Sequence, residues 1–255
     1  MDYLKAHVRT CVYMTSILIA LAIYVFIGNS EIGTLRTIRF EEGFGFTASI
    51  YLLLALLPTP LYSVFSTTPG KAVYTHARRA IGISTFCFAF LHAYISFFGL
   101  LAGFAGIPFL DTRYEFLLGS GTIALIILFL MASTSFDIAV RLLGPWWKRL
   151  HRFVYVAGIL ALVHVTLLGS HFSNPTSILP MVFITTAFAF LALEAARLDK
   201  KYVAARGERL ARFSGRFVLC CILLTVLFMI LTSGEGFLHA GHNTHSSASS
   251  TPITL

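Results

Sequence analysis

ARRAIGISTFCFAFLHAYISF, residues 77–97, decides the fold. After Arg79 it runs apolar for nearly its whole length, with His92 as the one ionisable group at depth. A helix crossing a bilayer needs about 20 mostly apolar residues, and this stretch meets that length. Six more such runs lie around it, giving seven expected spans at about 11–28, 45–65, 80–104, 116–136, 153–170, 178–196 and 214–233. The composition agrees: 57% of the 255 residues are hydrophobic, 12% are charged, and the mean hydropathy is +0.81. A water-soluble domain carries about 25% charged residues. The expected fold is therefore all-α, a polytopic membrane helix bundle of about seven spans. The first run exceeds a signal-peptide core and lacks a small-x-small cleavage site, so it reads as a retained helix.

The net charge of +8 is a matter of topology. Lys5 and Arg9 precede the first span. The connections 66–79, 137–152 and 197–213 gather nearly all the other basic residues and leave Arg36, Arg39 and Arg113 to the opposite side. The positive-inside bias places the N-terminus and these loops in the cytoplasm and the C-terminus outside. Basic residues arranged in this way give no nucleic-acid footprint. The four cysteines (Cys11, Cys87, Cys220 and Cys221) lie in apolar runs without metal-finger or redox spacing. No connection is long enough for a nucleotide-binding βαβ unit, so function has to reside in the helices or in partners docked to them. Trp146 and Trp147, after the Gly144–Pro145 break, suit the membrane interface.

Ionisable groups inside a bilayer are costly and mark function. His92 in FAFLHAYISF and His164 in ILALVHVTLLG each lie twelve residues beyond the inner end of a span, counted from Ala80 and Arg152. At ~1.5 Å per residue both sit about 18 Å deep. Two imidazoles at one depth on two parallel helices suit an iron porphyrin held between them, one axial nitrogen on each face. His151, thirteen residues before His164, suggests a second, inner site, although ideal helix geometry puts the two histidines on different faces. The equivalent position below His92 is Arg79, beside Arg78; guanidinium groups suit heme propionates or a flavin phosphate. His76 offers a substitute ligand there. Each of these residues also has a plain packing reading. Gly82, Gly99 and Gly158 would let a flat ring approach the backbone, with helix packing the favoured reading for Gly99. Span interiors show no acidic residue beside the histidines, which counts against a metal-ion transporter.

Together with STSFDIAVRLLGPWWKRLHRFVYVAGILALVH (133–164) and LLALLPTPLYSV (53–64), the opening stretch resembles the ferric-reductase-like transmembrane domain family. Ferric reductases, NADPH oxidases and the heme-binding membrane subunit of the bacterial methionine sulfoxide reductase system belong to it. The resemblance covers roughly residues 45–195. It implies a six-helix core binding heme b, with His92 and His164 as axial ligands of an outer heme and His151 serving an inner site. The paired arginines bring the chain nearest to the sulfoxide-reductase-subunit branch, while the seventh span and the lack of a fused flavin domain depart from the family. It further implies transmembrane electron transfer from a cytoplasmic flavin reductase or quinol to an extracytoplasmic reductase or a ferric or cupric ion, in the bacterial inner membrane. One heme is expected, with a second at His151 as the alternative, and any flavin would come from a partner.

The expected organisation is 1–44 as first span and outer loop, 45–196 as the heme-binding core, 197–234 as basic loop and extra span, and 235–255 as a disordered outer tail. In that tail His239, His242 and His245 form a weak candidate site for copper, nickel or zinc. His171 lies at the outer mouth of the fifth span. The competing functional readings are a metal-ion transporter using the intramembrane histidines and the tail, and a cofactor-free membrane scaffold.

Overall fold

The computed structural model describes residues 2–168 and 178–206, with side chains described for 7–168 and 182–201. All regular structure among them is helical. Helix α1 is Asp2–Ser30, α2 Gly33–Leu56, α3 Pro58–Val64, α4 Lys71–Ile95 and α5 Thr112–Ser133. The short helices α6 (Asp137–Leu143) and α7 (Pro145–Leu150) lead through one 3-10 turn into α8 (Val154–Leu168). Residues 1–165 form one compact unit; α9 (Ile178–Arg206) belongs to a second, 166–255.

Five helical segments among the described residues are long and apolar enough to cross a membrane: His7–Ser30, Gly33–Val64, Lys71–Leu100, Thr112–Ser133 and Pro145–Leu168. The chain is a polytopic helical membrane protein. The sixth expected span, 178–196, falls within α9, and the seventh lies outside the described residues, as do His171 and the tail histidines.

The helices run further than hydropathy suggests. The expected outer loop between the first two spans shrinks to residues 31 and 32, because α2 already begins at Gly33. Arg36, Arg39, Glu41 and Glu42 thus lie on a helix that the apolar window starts only later. α4 continues into a π-helical turn, Ser96–Leu100, where Leu101 N–H reaches Ser96 O at 3.0 Å.

Helix α4 is the centre of the first unit and packs against α2, α1 and α5. Its buried stripe, Ala77, Ile81, Ser84 and Phe88, meets Phe44, Ala48, Tyr51 and Ala55 of α2. Both sets follow helical spacing. The alanines let the backbones approach closely, which drives association where lipid removes the hydrophobic incentive. Ser16 of α1 adds a polar tie, donating to Val12 O at 2.7 Å and lying 2.9 Å from Ser84 Oγ and 3.1 Å from Tyr51 Oη. Leu18, Val25 and Phe26 of α1 stay exposed, a surface suited to lipid chains.

The Pro58 and Pro60 break shows how α4 repairs its neighbour. Proline has no N–H, so Leu54 O loses the donor four residues on. Tyr74 Oη fills that role at 2.8 Å. One residue further, Arg78 Nε donates to Ala55 O at 2.8 Å, and its Nη1 lies 3.0 Å from Thr59 Oγ1.

Candidate functional site

His92 of α4 and His164 of α8 face one another with ring centroids 6.0 Å apart and ring planes at 87°. The matched depth counted along the sequence is thus a direct pairing in space. Both rings are partly buried.

Each ring is docked in the same way on the preceding long helix. His92 Nδ1 lies 2.9 Å from Glu41 O on α2, and His164 Nδ1 lies 2.9 Å from Leu117 O on α5. A carbonyl only accepts, so Nδ1 carries the proton and Nε2 keeps its lone pair. In both cases the residue four further along the receiving helix is glycine: Gly45 after Glu41, Gly121 after Leu117. A Cβ on Gly45 would stand 2.6 Å from His92 Nδ1, and one on Gly121 would stand 2.7 Å from His164 Nδ1. Real side chains do not tolerate such distances. The two glycines cut notches through which an imidazole reaches the backbone.

This arrangement is the outer support that metal-ligating histidines require, with one nitrogen tied to an acceptor and the other available. The spacing also fits. Two metal–imidazole bonds of about 2 Å, plus roughly 1 Å from each bonded nitrogen to its ring centre, put the centroids about 6 Å apart.

The glycines singled out from sequence serve elsewhere. A Cβ on Gly99 would meet Thr37 Cγ2 at 2.6 Å, so this residue admits the close approach of α2, as its packing reading expects. Gly158 lies against Leu56, and Gly82 has nothing within 4 Å of where a Cβ would stand. Phe88 is core, stacked on Phe44 and tilted against Tyr51.

Glu41 corrects the expectation that no acidic residue lies beside the histidines. Its Oε1 is 3.2 Å from His92 Nδ1, with 18% of the side chain exposed. It escaped the sequence reading because it precedes the apolar window. The signal that would have found Gly45, Gly121 and Glu41 is the repeated interval of four residues, which gains meaning only once the histidines dock there.

The remaining candidates gather at the other end of α4. Arg78 is committed to the proline break described above. Arg79 pairs with Asp137 at the start of α6. His151 stacks on Trp147, centroids 3.9 Å apart, rather than against a second imidazole. Its Nδ1 lies 3.1 Å from Trp147 O, and its Nε2 is 3.5 Å from Ser135 Oγ, a hydroxyl that also bonds Met131 O at 2.6 Å. Trp147 Nε1 donates to Thr134 O at 3.0 Å, and the Arg149 guanidinium lies over Trp146. His76 is exposed, with its carbonyl 3.3 Å from Arg9 Nε. The Arg79 guanidinium holds the exposed Asp137 carboxyl below the usual carboxylate range.

Part of the chain is similar to known proteins. Residues 44–162 match the family described as "Ferric reductase like transmembrane component", a segment that includes Gly45, His92, Gly121 and His151 and stops just short of His164. The heme-binding subunit of protein-methionine-sulfoxide reductase from Cronobacter sakazakii is 34% identical over 115 residues, which cover 44% of this chain and 55% of that protein. The chain therefore aligns with about half the length of that relative. No solved structure matches it. Over residues 44–162, the chain is thus similar to the ferric-reductase-like transmembrane family.

Proposed function

We propose that the chain is a heme b membrane protein carrying electrons across the bilayer, with His92 and His164 as the axial ligands of one heme. The observation that carries this reading is the facing imidazole pair, 6.0 Å between centroids, each tied through Nδ1 to a backbone carbonyl across a glycine notch. Two nitrogens are too few for an isolated metal ion and suit an iron whose other four ligands come from a macrocycle. Bis-histidine heme supplies one-electron transfer with little structural change. This chain's residues fix the tautomer of each ligand, orient the rings and surround them with helices. The heme named for the Cronobacter relative agrees with the donor set.

Electrons enter from a cytoplasmic flavin reductase or quinol on the side of Arg78, Arg79 and the basic connections. They leave to a partner reductase or to a ferric or cupric ion on the side where α2 begins. This assignment follows the positive-inside bias, with the N-terminus cytoplasmic in a bacterial inner membrane. Arg78, Arg79 and His151 act as braces of the basic end in this reading, which needs one heme.

Glu41 beside His92 is the observation that favours a metal-ion transporter instead. Its carboxylate, however, sits at Nδ1, the nitrogen that already bonds a carbonyl, and not at Nε2. Among the described residues no group of three or more His, Cys, Asp or Glu side chains is placed to hold a metal ion. A reduced-minus-oxidised visible spectrum of detergent-purified protein, with heme quantified per chain, separates the readings. A low-spin b-type signal near one heme per chain is expected. A colourless protein expressed with ample heme overturns the electron-transfer reading.

A further inference from the structure

The two glycine notches are alike except at one position. The carbonyl that receives His164 belongs to Leu117, and the carbonyl that receives His92 belongs to Glu41. Leu117 brings only its backbone to the imidazole. Glu41 brings its carbonyl at 2.9 Å and its carboxylate Oε1 at 3.2 Å to the same Nδ1. The Leu117 notch shows that docking an imidazole requires a carbonyl and a glycine, with no carboxylate. An acidic side chain on a membrane-spanning helix carries a cost that docking does not explain. The nearby Arg39 is paired with Glu42, at 3.0 Å, while the Glu41 carboxylate lies 3.2 Å from His92 Nδ1.

Building on the heme reading above, we propose that Glu41 is a positioning residue that makes the two axial ligands electronically unequal and lowers the heme's reduction potential through His92. An acceptor on the distal N–H of a ligating imidazole raises that ligand's basicity. An anionic acceptor does so more than a neutral carbonyl, because charge-assisted hydrogen bonds are roughly twice as strong. A more electron-rich imidazole donates more to the iron and favours its oxidised state, so the carboxylate pulls the potential down. His164, held by Leu117 O alone, stays the more neutral ligand. The carboxylate touches neither iron nor acceptor and works only through the His92 ring.

Full-length protein carrying Glu41→Gln, Glu41→Asp or Glu41→Ala provides the test. Heme per chain, the midpoint potential from redox titration and the ferric low-spin EPR spectrum would be recorded for each. The expected result is unchanged heme content, with a more positive potential and shifted EPR g-values in the Gln and Ala variants and an intermediate position for Asp. A Gln variant that keeps its heme at the wild-type potential and EPR spectrum overturns the proposal. So does an equal shift in Asp and Gln, which would reduce Glu41 to packing. Loss of heme in all three variants overturns it as well, since Glu41 would then hold the site rather than tune it. A wild-type protein without heme is a separate outcome: it removes the heme reading itself, and the tuning proposal with it.

Discussion

The two ends of α4 use polar residues in opposite ways. Near Arg78 and Arg79, guanidinium donors, an indole N–H and a hydroxyl are spent on acceptors within the fold: Ala55 O beside the proline break, Asp137 and the carbonyls ending α5. At His92 and His164 each imidazole uses one nitrogen on a carbonyl and keeps the other. A polar group that closes a backbone vacancy is a brace. A polar group inside the bundle that retains a lone pair beside a like partner is a candidate ligand, and in lipid that distinction carries a large free-energy cost.

The sharpest way to break this contrast is to remove the imidazoles. His92→Ala and His164→Ala should each abolish bound heme, measured as heme per chain and as the reduced-minus-oxidised signal, while His151→Ala should keep both. Full retention of heme in the first two would end the ligand assignment.

The notches come next. Alanine normally improves a helix over glycine by up to ~1 kcal/mol, and Gly119→Ala, with nothing within 4 Å of its Cβ position, should show that gain or no change in thermal unfolding. Gly121→Ala, two residues along the same helix, should lose most of its heme, because the new Cβ displaces the His164 ring. Equal behaviour of the two variants would mean that the docking of His164 is not decisive.

A smaller effect is expected at the basic end. Arg78→Ala removes the donor that reaches Ala55 O and Thr59, and a hydrogen bond from a charged group is worth about 1.5–3 kcal/mol. It should lower the unfolding temperature in detergent and leave the heme spectrum in place. A lost spectrum with unchanged stability would instead make Arg78 part of the cofactor site.

Asp137→Asn should have the smallest effect of all, because the carboxylate is exposed. Its folded-state pKa is depressed by Arg79, so the pair contributes its full stability above the pH at which a free aspartate protonates, roughly 4, and loses it as pH falls on through the lowered pKa. Wild type and variant should differ slightly at neutral pH and converge in acid, read from melting temperature against pH. A gap that widens in acid would contradict the pairing.

Much of the site was legible in the sequence. Long apolar runs set the helical membrane fold, and two histidines twelve residues from basic ends announced a shared layer, which the structure brings together at 6.0 Å. Their supports were less legible. Glu41 looked like a loop residue because a hydropathy window registers a helix only where it turns apolar. Gly45 and Gly121 looked like any helical glycines, and the glycines that drew attention, Gly82, Gly99 and Gly158, lie elsewhere.

The sequence by itself determined the fold class and the matched residue count that pairs the histidines, because bilayer thickness and helical rise turn residue counts into distances. Only the tertiary structure decided what each polar group meets: that Arg78 reaches Ala55 O and Thr59, that Arg79 pairs with Asp137, and that Glu41 reaches His92 while Leu117 receives His164. Those partners lie 19 to 58 residues apart along the chain. A contact between helices depends on their rotation and offset, which a periodic apolar pattern constrains only to a broad face.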